Sequence, residues 1–165
     1  AGQSPRGKQF VADMADQQFV MTSVSQLKDS VIDINERADK AGRNVGIYAL
    51  FHMIAADTDE QAAALGQQII DQADNGALNN ILASASLDTN TGGTSDQLKA
   101  GLTKNIDDGN LAFMGIPVIH GSFETVARKI DSIKQETGID GMLFSWPDFV
   151  SGVRDFGERV KPLLD

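Results

Sequence analysis

From Phe123 onward, apolar residues recur every three or four positions, at Val126, Ala127, Ile130 and Ile133, and this spacing predicts a helix with one buried face. Ser122 stands where an N-cap belongs, Glu124 falls in the first turn, and Thr137-Gly138 supplies the left-handed stop. Beyond it, Ile139 opens a short apolar run, Met142-Leu143-Phe144, that reads as a strand covered on both sides. Pro147 ends that strand, Asp148 can cap a second helix, and Phe149, Val150, Val153, Phe156, Val160, Leu163 and Leu164 trace its apolar stripe. A strand between two one-faced helices is a β/α unit.

The earlier chain repeats the alternation. Ser4-Pro5 opens a helix carrying Phe10, Val11 and Met14, and residues 17–22 (QQFVMT) read as a short strand. A long helix from Ser23 or Ser25 places Val24, Leu27, Val31, Ile34 and Ala38 on one stripe before Gly42. The segment 45–57, apolar almost throughout, is the pattern of a central strand in a parallel sheet. Asp57 or Thr58 then caps a helix, with Glu60 and Gln61 as capping-box partners and Leu65, Ile69 and Ile70 on the buried side. From 74 to 115 small and polar residues dominate, and short helices around Leu78, Ile81 and Leu82 and around Leu98 and Leu102 are expected to flank a loop at Thr89–Ser95. Residues 116–120 lead back into the terminal block. The whole reads as an α/β chain with a parallel sheet and helices outside it, interrupted by one helical and loop insertion.

Composition narrows the partners. With a net charge of −9 and 14 scattered basic residues, the chain lacks the clustered cations that phosphate backbones require, so nucleic acid is excluded as a partner. No apolar run reaches the roughly 20 residues of a membrane span, no signal-type segment is visible, and the absence of cysteine suits the cytoplasm. Without cysteine, and with only His52 and His120, no metal site is expected. At 165 residues the chain is too short for a closed (β/α)₈ barrel, which needs at least ~200.

Candidate chemistry is sparse. Ser4 at a helix N-terminus suits a phosphate, because free backbone amides and the helix dipole converge there, although a plain capped surface helix has the same sequence. Within its apolar run, His52 reads as a hydrogen-bonded core histidine. His120, beside Gly121 and just ahead of a helix, is compatible with a ligand contact and equally with an ordinary turn.

Three blocks together resemble the C-terminal half of bacterial-luciferase-like flavin monooxygenases. They are AGQSPRGKQFVADMADQQF, the apolar strand leading into ADTDEQAAAL, and GSFETVARKI followed by GIDGMLFSWPDF and FGERVKPLL. Within that family the similarity is greatest to the pyrimidine monooxygenases that open the uracil ring, through SGVRDFGERVKPLL and the stretch Asp88 to Thr94. The resemblance implies a partial (β/α)₈ TIM barrel, about its last three β/α units, with residues 74–115 as an insertion. It implies reduced FMN as cofactor, supplied by a separate NAD(P)H flavin reductase, and O₂ used to oxygenate a small organic substrate. Gly2, Gln3 and Ser4 would then hold the flavin, with Ser4 on its phosphate. Since ligands of such barrels sit at the C-terminal ends of the strands, Trp146 and His120 are expected at the substrate pocket, with packing into the shell as the alternative for Trp146. The resemblance transfers no general acid or base, so the catalytic residues stay unassigned.

The beginning at Ala1, without Met and inside a strand-to-helix turn, leads us to expect a piece of a longer protein, inactive alone, that forms homo-oligomers or pairs with its other half. A non-catalytic flavin-binding or oligomerisation module is the functional alternative. A small doubly wound domain of flavodoxin type is the structural one, with AGQSPRG as the only available phosphate loop.

Overall fold

In the computed structural model, which describes residues 3–87, 106–107 and 109–164, the chain alternates helix and strand as the periodicity predicts. Helix α1 (Pro5–Met14) starts at Ser4, whose hydroxyl accepts from the Gly7 amide at 3.2 Å, and strand β1 spans Gln17–Val20. Helix α2 (Val24–Lys40) buries Leu27, Val31, Ile34 and Ala38, the stripe expected, and is tied to α1 by Asp33, which pairs with Lys8 at 2.8 Å and Arg37 at 2.7 Å. Strand β2 (Gly46–Ala56) is followed by α3 (Asp59–Asp71) and α4 (Asn75–Ser86). A 3₁₀ turn at Leu111–Phe113 precedes β3 (Val118–Ser122), α5 (Phe123–Thr137), β4 (Gly141–Ser145) and α6 (Phe149–Asp155).

All four strands are parallel and all pair through β2. Tyr48 and Ala49 each pair with both β1 and β4, so those two strands occupy opposite edges. His52 likewise pairs with both β3 and β4, which puts β3 on the β1 edge, beyond the end of β1. The length of β2 is what permits this. Its first half is the centre of a three-stranded parallel sheet and its second half carries β3.

The two faces of β2 differ. Ile47, Ala49, Phe51 and Met53 are fully buried beneath α2 and α5 with Val126, Ile130 and Ile133, and each large side chain so enclosed contributes about 1.5–3 kcal/mol. Tyr48, Leu50 and His52, on the alternate face, are only half-buried. The Tyr48 ring lies so close over Gly141 that a Cβ there would approach it to 2.7 Å, so β4 needs glycine at its start. Further along this face, α3 and the 3₁₀ turn close over Ile54, Val118 and Phe113 in a second small core.

Several expectations need correction. Residues 118–122 form a strand, giving four strands where the sequence pattern predicts three; four residues between Pro117 and the helix cap Ser122 are too few to show a period. β4 is covered on one side only: Met142 and Phe144 pack against the core, while Leu143 is 41% exposed on the open face. Helix α3 buries Ala62 and Gly66, and Leu65 stays exposed, because the helix approaches β3 too closely for large residues. The last stripe is not one helix. It passes into a π turn at Phe156–Val160, and only Phe156, Val160 and Leu164 reach the core, whereas Phe149, Val150 and Val153 are exposed. In the 74–115 segment α4 is present, capped by Asp74 through the Ala77 amide at 3.0 Å; Thr89–Ser95, Leu98 and Leu102 lie outside the described residues.

Candidate functional site

Two features at the C-terminal ends of the strands carry chemistry. The first is the N-terminus of α1. Ser4 is extended (φ −65°, ψ 157°), its carbonyl takes the Lys8 amide at 2.9 Å, and Pro5 fills the first helical position. No acidic residue lies in the first turn, so its partial positive charge is uncancelled from within. The contrast is α5, where Asp59 reaches across from α3 and accepts the Ser122 amide at 2.6 Å, holding its own carboxyl below the usual carboxylate range through that bond and a second from Thr125. The α5 terminus is thus already neutralised. Gln3 lines a depression beside α1, just past the end of β1, with Lys8, Thr22 and Gln26 and with the carboxylates of Asp29 and Asp33, the latter paired to Lys8 and Arg37; Gly2 lies outside the described residues.

The second feature is His52. Register places it opposite Ser145, the last residue of β4, and its Nδ1 is hydrogen-bonded to the Ser145 hydroxyl. The Phe113 ring packs beside the imidazole, centroids 5.5 Å apart and tilted by 58°. Burial lowers the pKa of His52 below the ordinary histidine value, against an opposing contribution from the Ser145 backbone, which keeps the ring neutral at neutral pH. His52 is hydrogen-bonded, as its place in the apolar run predicts, and is half-buried on the face that α2 and α5 leave open. Sequence periodicity carried no sign of its partner, which is 93 residues away and becomes a neighbour only through strand register.

Trp146 and His120 are not brought together. Trp146 turns to the helix-covered side, edge-on to Phe149 at 5.7 Å and near Phe144 and Phe156 at 6.2 and 6.4 Å. It lines a cavity of about 110 Å³ with Met53, Leu65 and Asp148, and its buried Nε1 has no hydrogen-bond partner among the described residues. His120 faces a separate depression with Asp59 and Thr125; its Nε2 meets Asp107 at 2.8 Å, and Lys129 donates to its carbonyl at 3.1 Å. Among the described residues no group of three or more acidic or histidine side chains is placed to hold a metal, and no helix is long and apolar enough to cross a membrane.

Residues 1–141 match the luciferase-like monooxygenases. The chain belongs to that family. Among curated members it is 37% identical to the pyrimidine monooxygenase RutA of Acinetobacter baylyi, covering 99% of this chain and 44% of that protein. To RutA of a Bradyrhizobium strain it is also 37% identical, over 99% of this chain and 45% of the relative. The chain thus spans about half the length of these luciferase-like relatives. Among solved structures, DmoA from Hyphomicrobium sulfonivorans superimposes with a TM-score of 0.74 at 26% identity, covering 98% of this chain and 39% of that one. The EDTA monooxygenase EmoA from a Chelativorans strain shares the fold with a TM-score of 0.76 at 17% identity, over 98% and 42% of the two chains.

Proposed function

We propose that this chain is the C-terminal part of an FMN-dependent monooxygenase acting on a small organic substrate, a pyrimidine by the nearness to RutA. The observation that carries the reading is the 37% identity to that enzyme across the whole chain. The α/β architecture supports a partial (β/α)₈ barrel in which β1, β2 and β4 are consecutive staves and residues 74–115 an insertion. Its open face and the outer edges of β1 and β4, unpaired among the described residues, are the surfaces that a closing barrel half, or a second copy, would cover. A non-catalytic module is not favoured, since RutA relatives at 32–37% identity are named as monooxygenases.

The residues present fit the cofactor. The α1 N-terminus offers first-turn amides and the Ser4 hydroxyl to a phosphate, with no carboxylate in its first turn to repel one. Gln3 and, by sequence position, Gly2 complete that seat. Reduced FMN, when bound, supplies the electrons for activating O₂, so that one oxygen atom enters the substrate and the other leaves as water. A separate NAD(P)H flavin reductase and a cytoplasmic location belong to the same reading. Trp146, whose indole N–H has no hydrogen-bond partner among the described residues, belongs to the shell behind the sheet, and His120 to its rim.

Titration of FMN into the full-length protein tests the seat. Ser4→Ala removes a hydrogen bond to a charged group, about 1.5–3 kcal/mol, so affinity falls by roughly tenfold or more. Ser4→Asp keeps the cap but sets a negative charge against the phosphate, and is expected to bind more weakly still while melting like the parent. Equal affinity in Ser4→Asp contradicts the seat, and a parent protein that binds no FMN contradicts the function.

A further inference from the structure

Strand β2 runs on past the end of β4, and the order of its main-chain groups there can be read from the bonds that precede them. The Gly46 amide donates to Asp16 ahead of β1 and the His52 amide to Pro117 ahead of β3, so even-numbered residues of β2 turn their N–H and C=O groups toward β1 and β3. Odd-numbered residues face β4, as the Ile47 carbonyl does in accepting from Asp140. The last β2–β4 pair is His52 with Ser145, which gives the Met53 amide to the Ser145 carbonyl. The next rung would run from residue 147 to the Met53 carbonyl, but that residue is Pro147 and has no N–H. Among the described residues no hydrogen bond reaches the Met53 carbonyl or leaves the Ala55 amide.

The cavity of about 110 Å³ lies at this edge, lined by Met53 and Ala55 on β2 and by Trp146 and Pro147 beyond β4. Along the edge Met53 C=O, Ala55 N–H and Ala55 C=O follow one another as acceptor, donor and acceptor. The lining also includes Trp146, whose buried indole N–H has no partner among the described residues, although a buried indole ordinarily has one. A space of this size takes one small ring and excludes a peptide strand. Charge narrows the choice further: Asp148 and Asp155 line the cavity and no lysine or arginine among the described residues does, so an anion is repelled.

We propose that this notch binds a neutral cyclic urea or amide, whose –NH–CO–NH– edge pairs with Met53 and Ala55 in the way an added strand would. Leu65 and Phe156 give the carbon atoms of the ring an apolar wall. The site is at the rim, where β4 stops and β2 continues, and it does not rest on the monooxygenase reading. Selection arises because an N-methylated ring leaves the Met53 carbonyl without its donor and sets a methyl group against it.

Titration of the full-length protein with ethyleneurea, a small ring that carries this edge, tests the site, with N,N′-dimethylethyleneurea as the control. In ¹⁵N spectra the Ala55 amide signal shifts with ethyleneurea, together with the Trp146 indole signal. The dimethylated ring keeps the carbonyl but has no N–H, and it binds about tenfold more weakly. Pro147→Ala restores an N–H that can take the Met53 carbonyl, so it weakens ethyleneurea binding by about threefold to tenfold. An Ala55 amide that does not move, equal binding of the dimethylated ring, or unweakened binding by Pro147→Ala overturns the proposal. None of these results depends on FMN or on oxygenation, so the monooxygenase reading stands or falls separately.

Discussion

Gly152 and Trp146 are fitted to one another. A Cβ on Gly152 would enter the indole at Cγ, and Phe144, Phe149 and Phe156 stand against other parts of the ring. Gly152→Ala is therefore expected to force the indole aside and lower stability by about 1–3 kcal/mol, the usual cost of overpacking. Trp146 is the sole tryptophan, so its fluorescence reports the displacement directly while denaturant unfolding gives the energy. An unchanged emission spectrum with unchanged stability would show the contact to be slack. At this scale the sequence was least legible. Ser4 could be read as a cap, because its cap bond is local, but the His52–Ser145 pair and the Gly152–Trp146 contact depend on strand register and on a chain reversal after Pro147.

Between elements, Asp59 joins the first turn of α3 to the N-terminus of α5. Its carboxylate accepts from the Ser122 amide and the Thr125 hydroxyl, and these bonds hold its pKa below the ordinary aspartate value. Linkage sets the sign. A depressed carboxylate pKa gives stability that is fully present above the unfolded-state value near ~3.9 and is lost as pH falls through the folded one. Asp59→Asn should lower the melting temperature near neutrality and flatten the acid limb of stability against pH, whereas parallel curves for parent and variant would assign the acid limb to other carboxylates. Such cross-links were invisible in the sequence, which offered Asp59 only as one more acid after Thr58. The helices α2 and α5 were legible because each buries one continuous stripe against β2, so that period alone defines them. α6 was not: Phe149, Val150 and Val153 have the period of a buried face, but they stay exposed, Phe149 meeting the edge of Trp146. β4 misled for the same reason, since a run as apolar as Met142-Leu143-Phe144 says how much is buried and not by what.

Over the whole molecule, several large apolar residues stand exposed among the described residues. They include Phe10 and Met14 on α1 and Phe149, Val150 and Val153 on α6. Among the described residues neither β1 nor β4 pairs with a further strand on its outer edge, and the face bearing Tyr48, Leu50, His52 and Leu143 lies between those edges. These are the surfaces expected where one part of a β/α barrel ends and the rest begins, and they agree with a chain that spans about half of its luciferase-like relatives. In the reading proposed above, the closed barrel holds FMN with its phosphate at the N-terminus of α1 and the substrate in the barrel interior. A single-turnover reaction of the full-length protein with chemically reduced FMN and uracil under ¹⁸O₂ tests this arrangement most directly. The expected product carries one atom of ¹⁸O from the gas, and none forms when FMN stays oxidised. Product whose new oxygen comes from water, or product made without reduced flavin, would contradict a flavin monooxygenase.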